Sequence, residues 1–211
     1  MSKKITIIDY GVGNILSIKN AISYQGLKSV ATNDNKIIEN STHIILPGVG
    51  AYPLAMKKLK NLKLIDSLKI AKHNGTFILG ICLGMQLLFS SSDEFESTEG
   101  LNLIEGNIAK LDKFKKNLNI KLPNIGWRNL KNNQKDLKIN ILNNIPNNSK
   151  YYFIHSHALI KCKKNVKIVN SSYQNIEFPA VINLNNIYGC QFHPEKSRTQ
   201  GLQIIENFLN L

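Results

Sequence analysis

The sequence contains three cysteines and one tryptophan in 211 residues. Three cysteines are too few for a disulfide framework, and no C-x-x-C pair or Cys/His cluster predicts a metal site. No apolar run reaches the roughly 18 residues that a transmembrane helix needs, and the first residues lack the pattern of a signal peptide. These absences favour a globular protein of a reducing, cytoplasmic compartment that uses no metal or other cofactor.

Acidic residues are scarce. The chain has 14 of them and 27 lysines and arginines, which gives a formal net charge of +13. Such a charge raises the question of nucleic-acid binding. The basic residues are spread along the chain, however, and they do not alternate with aromatic residues as in RNA-recognition motifs. We therefore expect no nucleic-acid partner, and the charge leaves open an acidic partner or anionic substrates.

Strand and helix patterns alternate through the first 90 residues. Apolar runs predict strands at residues 4–9, 29–32, 42–46 and 76–81. The segments between them carry apolar residues at helical spacing, which predicts an α/β fold with a doubly wound, mostly parallel sheet. Ligands of such sheets bind at the carboxyl ends of the strands.

The second half of the chain indicates an antiparallel extension of this sheet. A strand is predicted at residues 150–157, two strands flank a turn at Asn185-Asn186, and residues 202–209 predict a closing helix. Loops are predicted at residues 90–99 and 123–127. No linker or repeat is evident, so we predict a single domain over residues 1–211.

The segment Gly80-Ile81-Cys82-Leu83-Gly84 joins a predicted strand to a helix predicted over residues 83–89. Glycines two residues before and after Cys82 match the nucleophile elbow, a strained strand-to-helix corner that cannot accommodate neighbouring Cβ atoms. The helix N-terminus would favour a thiolate, and the N–H of Leu83 would be one oxyanion donor. The segment by itself is also consistent with a small cysteine buried between a core strand and a core helix.

Two other glycine-containing loops follow predicted strands. Pro47-Gly48-Val49-Gly50 suits a loop whose backbone approaches a ligand, although an ordinary βα turn fits equally well. The pair Gly11-x-Gly13 does not predict a dinucleotide site, because Leu16 occupies the position of the third glycine.

A cysteine nucleophile needs a base, and the base needs a group that orients it. His193 follows an apolar strand, and Glu195 comes two residues later, after a proline that favours extended backbone. Residues i and i+2 of an extended segment face the same side. Glu195 can therefore bind one nitrogen of the His193 imidazole while the other imidazole nitrogen faces Cys82. His155 and His157 are weaker candidates, and a surface turn is the alternative interpretation of the His193 segment.

Together, residues 80–86 and 191–195 resemble the class I, or triad, glutamine amidotransferases. Within that family the chain is most similar to the glutaminase subunits of imidazole glycerol phosphate synthase. The segments that carry this closer resemblance are Asp9-Tyr10-Gly11-Val12-Gly13-Asn14, Pro47-Gly48-Val49-Gly50, Gly126-Trp127, Phe153-Ile154-His155-Ser156 and His193-Pro194-Glu195-Lys196-Ser197.

The resemblance implies that Cys82 attacks the side-chain amide of glutamine. His193, oriented by Glu195, would handle the proton, and a γ-glutamyl thioester would be hydrolysed to glutamate after ammonia leaves. The oxyanion would lie between the N–H of Leu83 and an N–H of the Val49-Gly50 peptide.

The resemblance also implies the remaining site residues and a partner. Gln86, His155 and Ser156 would hold the head group of glutamine. Trp127 and Lys196 are the expected partner contacts, because a tryptophan in a loop and a lysine beside the catalytic pair suit an interface. That partner would be a separate cyclase subunit with a (β/α)8 barrel, which forms a heterodimer with this chain. It would receive the ammonia and make imidazole glycerol phosphate and AICAR in histidine biosynthesis. The sequence ends after the glutaminase module, so the synthase is expected on another polypeptide, and no membrane partner is expected.

The chain departs from this branch at Arg128 and His157, where relatives usually have Asn and Tyr. Neither residue is the nucleophile, the base or the acid, so the glutaminase chemistry is unaffected while the synthase partner stays open. One alternative is a related glutaminase that supplies ammonia to an amidinating synthase of a surface-sugar pathway. Another is a free-standing cysteine hydrolase, which robust hydrolysis of glutamine by the isolated chain would favour.

Overall fold

A seven-stranded sheet with helices on both faces forms the centre of the computed structural model, which describes residues 3–115, 120–131 and 138–211. The strands are β1 Ile5–Ile8, β2 Ser29–Thr32, β3 His43–Leu46, β4 Phe77–Ile81, β5 Ser91–Ser92, β6 Thr98–Glu99, β7 Gly106–Lys110, β8 Asn124–Asn129, β9 Lys150–His155, β10 His157–Cys162, β11 Lys167–Tyr173, β12 Ile176–Leu184 and β13 Ile187–Cys190. The α-helices are α1 Ile15–Tyr24, α2 Asn35–Glu39, α3 Tyr52–Asn61, α4 Leu64–His73, α5 Leu83–Leu87 and α6 Arg198–Leu209. Within these ranges, no helix combines the length and the apolar character that crossing a membrane requires.

The strand order of the main sheet is β11-β12-β13-β4-β3-β1-β2. The five strands from β13 to β2 are parallel, whereas β12 and β11 are antiparallel to their neighbours. The predicted α/β class, with a mostly parallel sheet and an antiparallel extension, is therefore confirmed. Two smaller sheets, β10-β7-β5-β6 and β8-β9, lie outside it.

The sheet separates two hydrophobic cores. On one face, Ile18 and Ile22 of α1 share a core with Phe208 of α6. On the other face, Leu59 of α3 and Leu68 of α4 belong to a second core. Every residue of β1 and β3 is buried, as expected for parallel strands that helices cover on both sides.

The predicted boundaries differ from the structure mainly in the second half of the chain. The predicted loop at residues 123–127 is largely part of β8, which pairs in antiparallel register with β9. The predicted loop at residues 90–99 contains β5 and β6, and α6 begins at Arg198 instead of residue 202. The loop prediction at residues 123–127 was wrong because asparagine, glycine and proline have low strand propensity, and pairing with β9 overrides that preference. The prediction at residues 90–99 holds except for the two short strands.

Three neighbouring parallel strands end close together. Leu46 at the end of β3 pairs with Gly80 in β4, and Ile81 pairs with Cys190 at the end of β13. The chain segments that follow these strands therefore leave the same edge of the sheet. They are the loop at residues 47–50, the corner at Cys82 and the segment at residues 191–195.

Candidate active site

Cys82 occupies the corner between β4 and α5. Its backbone angles, φ 53° and ψ −112°, lie outside the regions that L-residues ordinarily adopt. The N–H of Cys82 donates to the carbonyl of Cys190 at 2.7 Å, and its own carbonyl accepts from the N–H of Gln86 at 3.2 Å. Neighbouring structure therefore holds the strained conformation, which aims the side chain at the end of the sheet.

The two flanking glycines are required by close backbone contacts. A Cβ on Gly84 would stand 1.9 Å from the carbonyl oxygen of Leu46, and a Cβ on Gly80 would stand 2.6 Å from the Cα of Met85. Both distances are far shorter than van der Waals contact. The glycine spacing thus lets α5 cross directly over the ends of β3 and β4.

His193 and Glu195 form a buried pair behind the cysteine. The imidazole Nδ1 lies 2.8 Å from Glu195 Oε1, and the two side chains are 4% and 1% exposed. His193 is extended as predicted, but residues Pro194–Lys196 form a 3-10 turn instead of continuing the extended segment. The turn still brings the carboxylate to the ring.

The surroundings of His193 favour its protonated form. Burial lowers its pKa, but hydrogen bonds and charges of Cys82 and Glu195 outweigh burial and raise the pKa to about 10. A protonated imidazole beside a sulfur favours a thiolate–imidazolium pair, the reactive form of cysteine nucleophiles.

A second side chain that reaches the sulfur is Gln191, to which the sequence patterns assigned no role. Its Nε2 lies 3.8 Å from Cys82 Sγ, and its Oε1 accepts from Gln86 Nε2 at 3.0 Å. Gln86 Nε2 also donates to the carbonyl of His157 at 2.8 Å. Both amide hydrogens of Gln86 are therefore donated to protein acceptors. The Gln86–Gln191 hydrogen bond orients the Nε2–H donor of Gln191 towards the nucleophile.

A cavity of about 330 Å³ opens beside Cys82. Of the eleven residues predicted for the site, Glu195 lies behind His193, Trp127 lies outside the cavity, and nine line it. Those nine are Val49, Gly50, Cys82, Leu83, Gln86, His155, Ser156, His193 and Lys196. The volume is that of a small-molecule site.

The residues predicted to supply the oxyanion donors line this cavity from adjacent elements. Leu83 is the first residue of α5, so its N–H has no acceptor within the helix. Gly48 presses the loop against the same helix, since a Cβ there would be 2.6 Å from the nitrogen of Gly84. Gly50 has a φ of +90° with open space around it, which gives the Val49-Gly50 peptide freedom that other residues would lack.

Glu94 is an acidic group of the cavity that the sequence patterns did not predict. Its Oε2 accepts from the N–H of Tyr52, the first residue of α3, at 2.9 Å. Its Oε1 lies 3.5 Å from Nδ1 of His157, and the two side chains are 15% and 13% exposed. The surrounding polar segment carried no signal for this role, because the contacts come from residues more than 40 positions away.

His155 is held by hydrogen bonds at both ring nitrogens. Nδ1 donates to the carbonyl of His157 at 2.9 Å, so Nε2 is the acceptor for the Asn124 amide at 2.9 Å. Arg128 Nε in turn donates to Asn124 Oδ1 at 2.6 Å. Burial lowers the pKa of His155 to about 4, so the ring is neutral. These contacts favour a positioning role for the His155 ring. Arg128 supports that role by holding the Asn124 amide.

Trp127 and Lys196 lie at the surface near the mouth of the cavity. Trp127 is 40% exposed, and the guanidinium of Arg198 lies 4.9 Å from its ring centroid. Ile125 faces the same side of β8, and Ile154, its partner in β9, is also exposed. This exposed apolar face adjoins the catalytic residues, because Tyr152 of the same hairpin accepts from the N–H of His193. Contact with a partner stays a prediction for both residues.

No group of three or more His, Cys, Asp or Glu side chains within the described ranges could hold a metal ion. The arrangement is that of a thiol nucleophile with a histidine base, oriented by a carboxylate, in a cavity lined by polar and apolar groups. Such a constellation can perform acyl transfer from an amide or an ester.

Comparison with known proteins identifies related sequences and folds. Residues 6–211 match the family described as glutamine amidotransferase class-I. The imidazole glycerol phosphate synthase subunit HisH 2 of Methanococcus maripaludis is 44% identical, over 97% of this chain and 98% of that protein. The HisH subunit of Caldanaerobacter subterraneus is 43% identical, over 97% of this chain and 96% of that protein.

Solved structures agree on the fold. A crystal structure titled glutamine amidotransferase superposes with a TM-score of 0.73 at 14% identity and covers 97% of both chains. A chain of PurLQS from Thermotoga maritima superposes with a TM-score of 0.68 at 18% identity, covering 100% of this chain and 99% of that one. The chain belongs to the class-I glutamine amidotransferase family and, within it, to the group of imidazole glycerol phosphate synthase HisH subunits.

Proposed function

We propose that this protein is the glutaminase subunit of an imidazole glycerol phosphate synthase, which hydrolyses glutamine and passes the ammonia to a cyclase subunit. The observation that carries the proposal is the buried His193–Glu195 pair beside Cys82 at the entrance of a cavity of about 330 Å³. The free thiol that this chemistry needs fits a reducing cytoplasm, where we place the protein.

In the first half of the reaction, the Cys82 thiolate attacks the amide carbon of glutamine. The developing oxyanion lies between the N–H of Leu83 and an N–H of the Val49-Gly50 peptide. When the carbon–nitrogen bond breaks, protonated His193 gives its proton to the leaving nitrogen, and ammonia departs. The enzyme then holds the acyl group as a γ-glutamyl thioester.

In the second half, His193 is neutral and accepts a proton from an attacking water. The hydroxyl adds to the thioester carbon, the carbon–sulfur bond breaks, and glutamate leaves. The thiolate and the protonated imidazole are restored together. Glu195 keeps the ring in one orientation and stabilises its positive charge through both halves.

The cavity also has groups for the charged end of glutamine. Glu94 is the acidic side chain among its lining residues, so it suits the α-ammonium of the substrate. Lys196 at the rim is exposed and cationic, and the segment of His155 and Ser156 forms part of the wall. These groups select an amino acid over a simple amide.

A partner subunit follows from the relatives, which are named as subunits of a synthase. The exposed apolar face at Ile125, Trp127 and Ile154 supports a docking surface there, because exposed apolar patches mark protein interfaces. We propose that a (β/α)8-barrel cyclase binds this face in a heterodimer and uses the ammonia to make imidazole glycerol phosphate and AICAR. The alternative partner is an amidinating synthase of a surface-sugar pathway, and the experiment must distinguish it from the cyclase.

The experiment compares Cys82→Ala with wild type in the presence of the cyclase subunit. Glutamine-dependent synthesis of imidazole glycerol phosphate should be lost, while synthesis from an added ammonium salt should be unchanged, because ammonia release alone needs the thiolate. Glutamine-dependent turnover by the variant would refute the nucleophile. Wild-type activity with an amidinating sugar synthase, and not with the cyclase, would refute the partner.

A further inference from the structure

We propose that His157 sets the strength of the subsite that holds the α-ammonium of the substrate, by competing for Glu94. This inference rests on the proposed glutaminase function and concerns the same cavity. His157 is thus a specificity-determining residue that does not touch the reacting atoms: as a neutral ring it leaves Glu94 to the ammonium, and as a cation it takes the place of the ammonium.

One carboxylate oxygen of Glu94 can bind either His157 or the substrate ammonium. Oε2 is committed to the N–H of Tyr52 at 2.9 Å, whereas Oε1 lies 3.5 Å from Nδ1 of His157. That separation is longer than a strong charged hydrogen bond, so the neutral ring leaves Oε1 available. A protonated ring would draw in Oε1 and neutralise the carboxylate, because both groups are mostly shielded from water.

The backbone of His157 is held in place by the cavity wall. Its carbonyl accepts from Gln86 Nε2 at 2.8 Å and from His155 Nδ1 at 2.9 Å. Both donors belong to the cavity wall. The backbone that carries the ring is therefore held by the same network that orients Gln191 towards the nucleophile.

The charges that face the ring from its neighbours are mostly acidic. Glu94, Asp93 and Asp112 favour the protonated form, and Lys110 opposes it. Lys110 also pairs with Asp112 at 2.9 Å, which reduces the effect of both. Burial outweighs the acidic neighbours and lowers the pKa of His157 from its ordinary value. The ring is therefore neutral at pH 7, and the competition begins only at acidic pH, below the ordinary titration range of histidine.

The test measures hydrolysis of glutamine and of glutaramate, which is glutamine without its α-amino group, by the complex with the cyclase subunit. In the wild type, the preference for glutamine in kcat/KM should fall at acidic pH as His157 becomes protonated, approaching tenfold per pH unit below the lowered pKa of the ring. The change should appear in KM for glutamine, since the ring does not contact the reacting atoms. If glutaramate is hydrolysed too slowly to measure, the KM values for glutamine are compared between pH values and between variants.

Two variants separate charge from structure. His157→Gln keeps a neutral side chain, so its preference for glutamine should resist acid. His157→Lys places a permanent cation beside Glu94 and should lower the preference at least about tenfold at pH 7.5, independently of any titration. A His157→Lys complex that keeps the wild-type KM and preference would overturn the inference, even if glutamine is hydrolysed normally. Absence of glutamine hydrolysis by the wild-type complex would instead refute the proposed function itself.

Discussion

Replacing Gly84 by alanine should displace the nucleophile and slow glutamine hydrolysis. The added Cβ would stand 1.9 Å from the carbonyl oxygen of Leu46, 2.8 Å from its carbonyl carbon and 3.0 Å from the carbonyl carbon of Pro47. All three atoms belong to the backbone at the end of β3, so no side chain can rotate away. The corner that carries Cys82 must therefore move away from the sheet.

The size of that movement follows from the contact distance. A carbon and an oxygen in contact stand roughly 3.3 Å apart, so the first turn of α5 must shift by about 1.4 Å. A misplacement of about 1 Å in an active site can cost about 10²-fold in rate. Overpacking of this kind costs about 3 kcal/mol, and the higher helix propensity of alanine returns about 1 kcal/mol. The net loss of about 2 kcal/mol should lower Tm by about 4–8 °C.

The assay is glutamate release by the complex with the cyclase subunit, together with thermal unfolding of the isolated variant. Gly75→Ala is the matched control, because Gly75 has a φ of +82° and a Cβ added there would meet no atom within 4 Å. It should cost about 1–2 kcal/mol through backbone strain and leave the activity unchanged. A Gly84→Ala variant with an unchanged or higher Tm and normal glutamate release would refute the contact argument.

Two further predictions concern the base and the oxyanion loop. His193→Ala should cost more than Glu195→Gln, for which we expect a loss of about 10³–10⁴ in kcat, because the carboxylate only orients and stabilises the imidazole. Glu195 raises the pKa of His193, so Glu195→Gln should move the alkaline limit of kcat/KM to lower pH; an unmoved limit in a folded variant would contradict that role. Gly50→Ala keeps the N–H but strains the φ of +90°, so it should misdirect the oxyanion donor of this peptide and lower kcat by about 10²–10³. Gly75→Ala is again the control for φ strain, and equal activities of the two alanine variants would argue against the loop.

Local sequence patterns determined the architecture and the centre of the site. The alternation of apolar runs with helical spacing predicted the parallel sheet, because these periods depend on neighbouring residues. The glycines around Cys82 and the two-residue spacing of His193 and Glu195 likewise act over a few positions. Parallel strands end at one edge, so the predicted topology already implied that these segments could meet there.

Tertiary structure decided which other side chains complete the site. Glu94 reaches the cavity through contacts with Tyr52 and His157, and Gln191 is oriented by Gln86, which lies 105 positions earlier in the chain. The strand character of β8 also depends on β9, which is distant in sequence. The pairing of such groups depends on how the packed elements approach one another, so no local hydrophobic period or residue spacing predicts it. Long-range contacts therefore decided the polar environment of a nucleophile that local contacts had already specified.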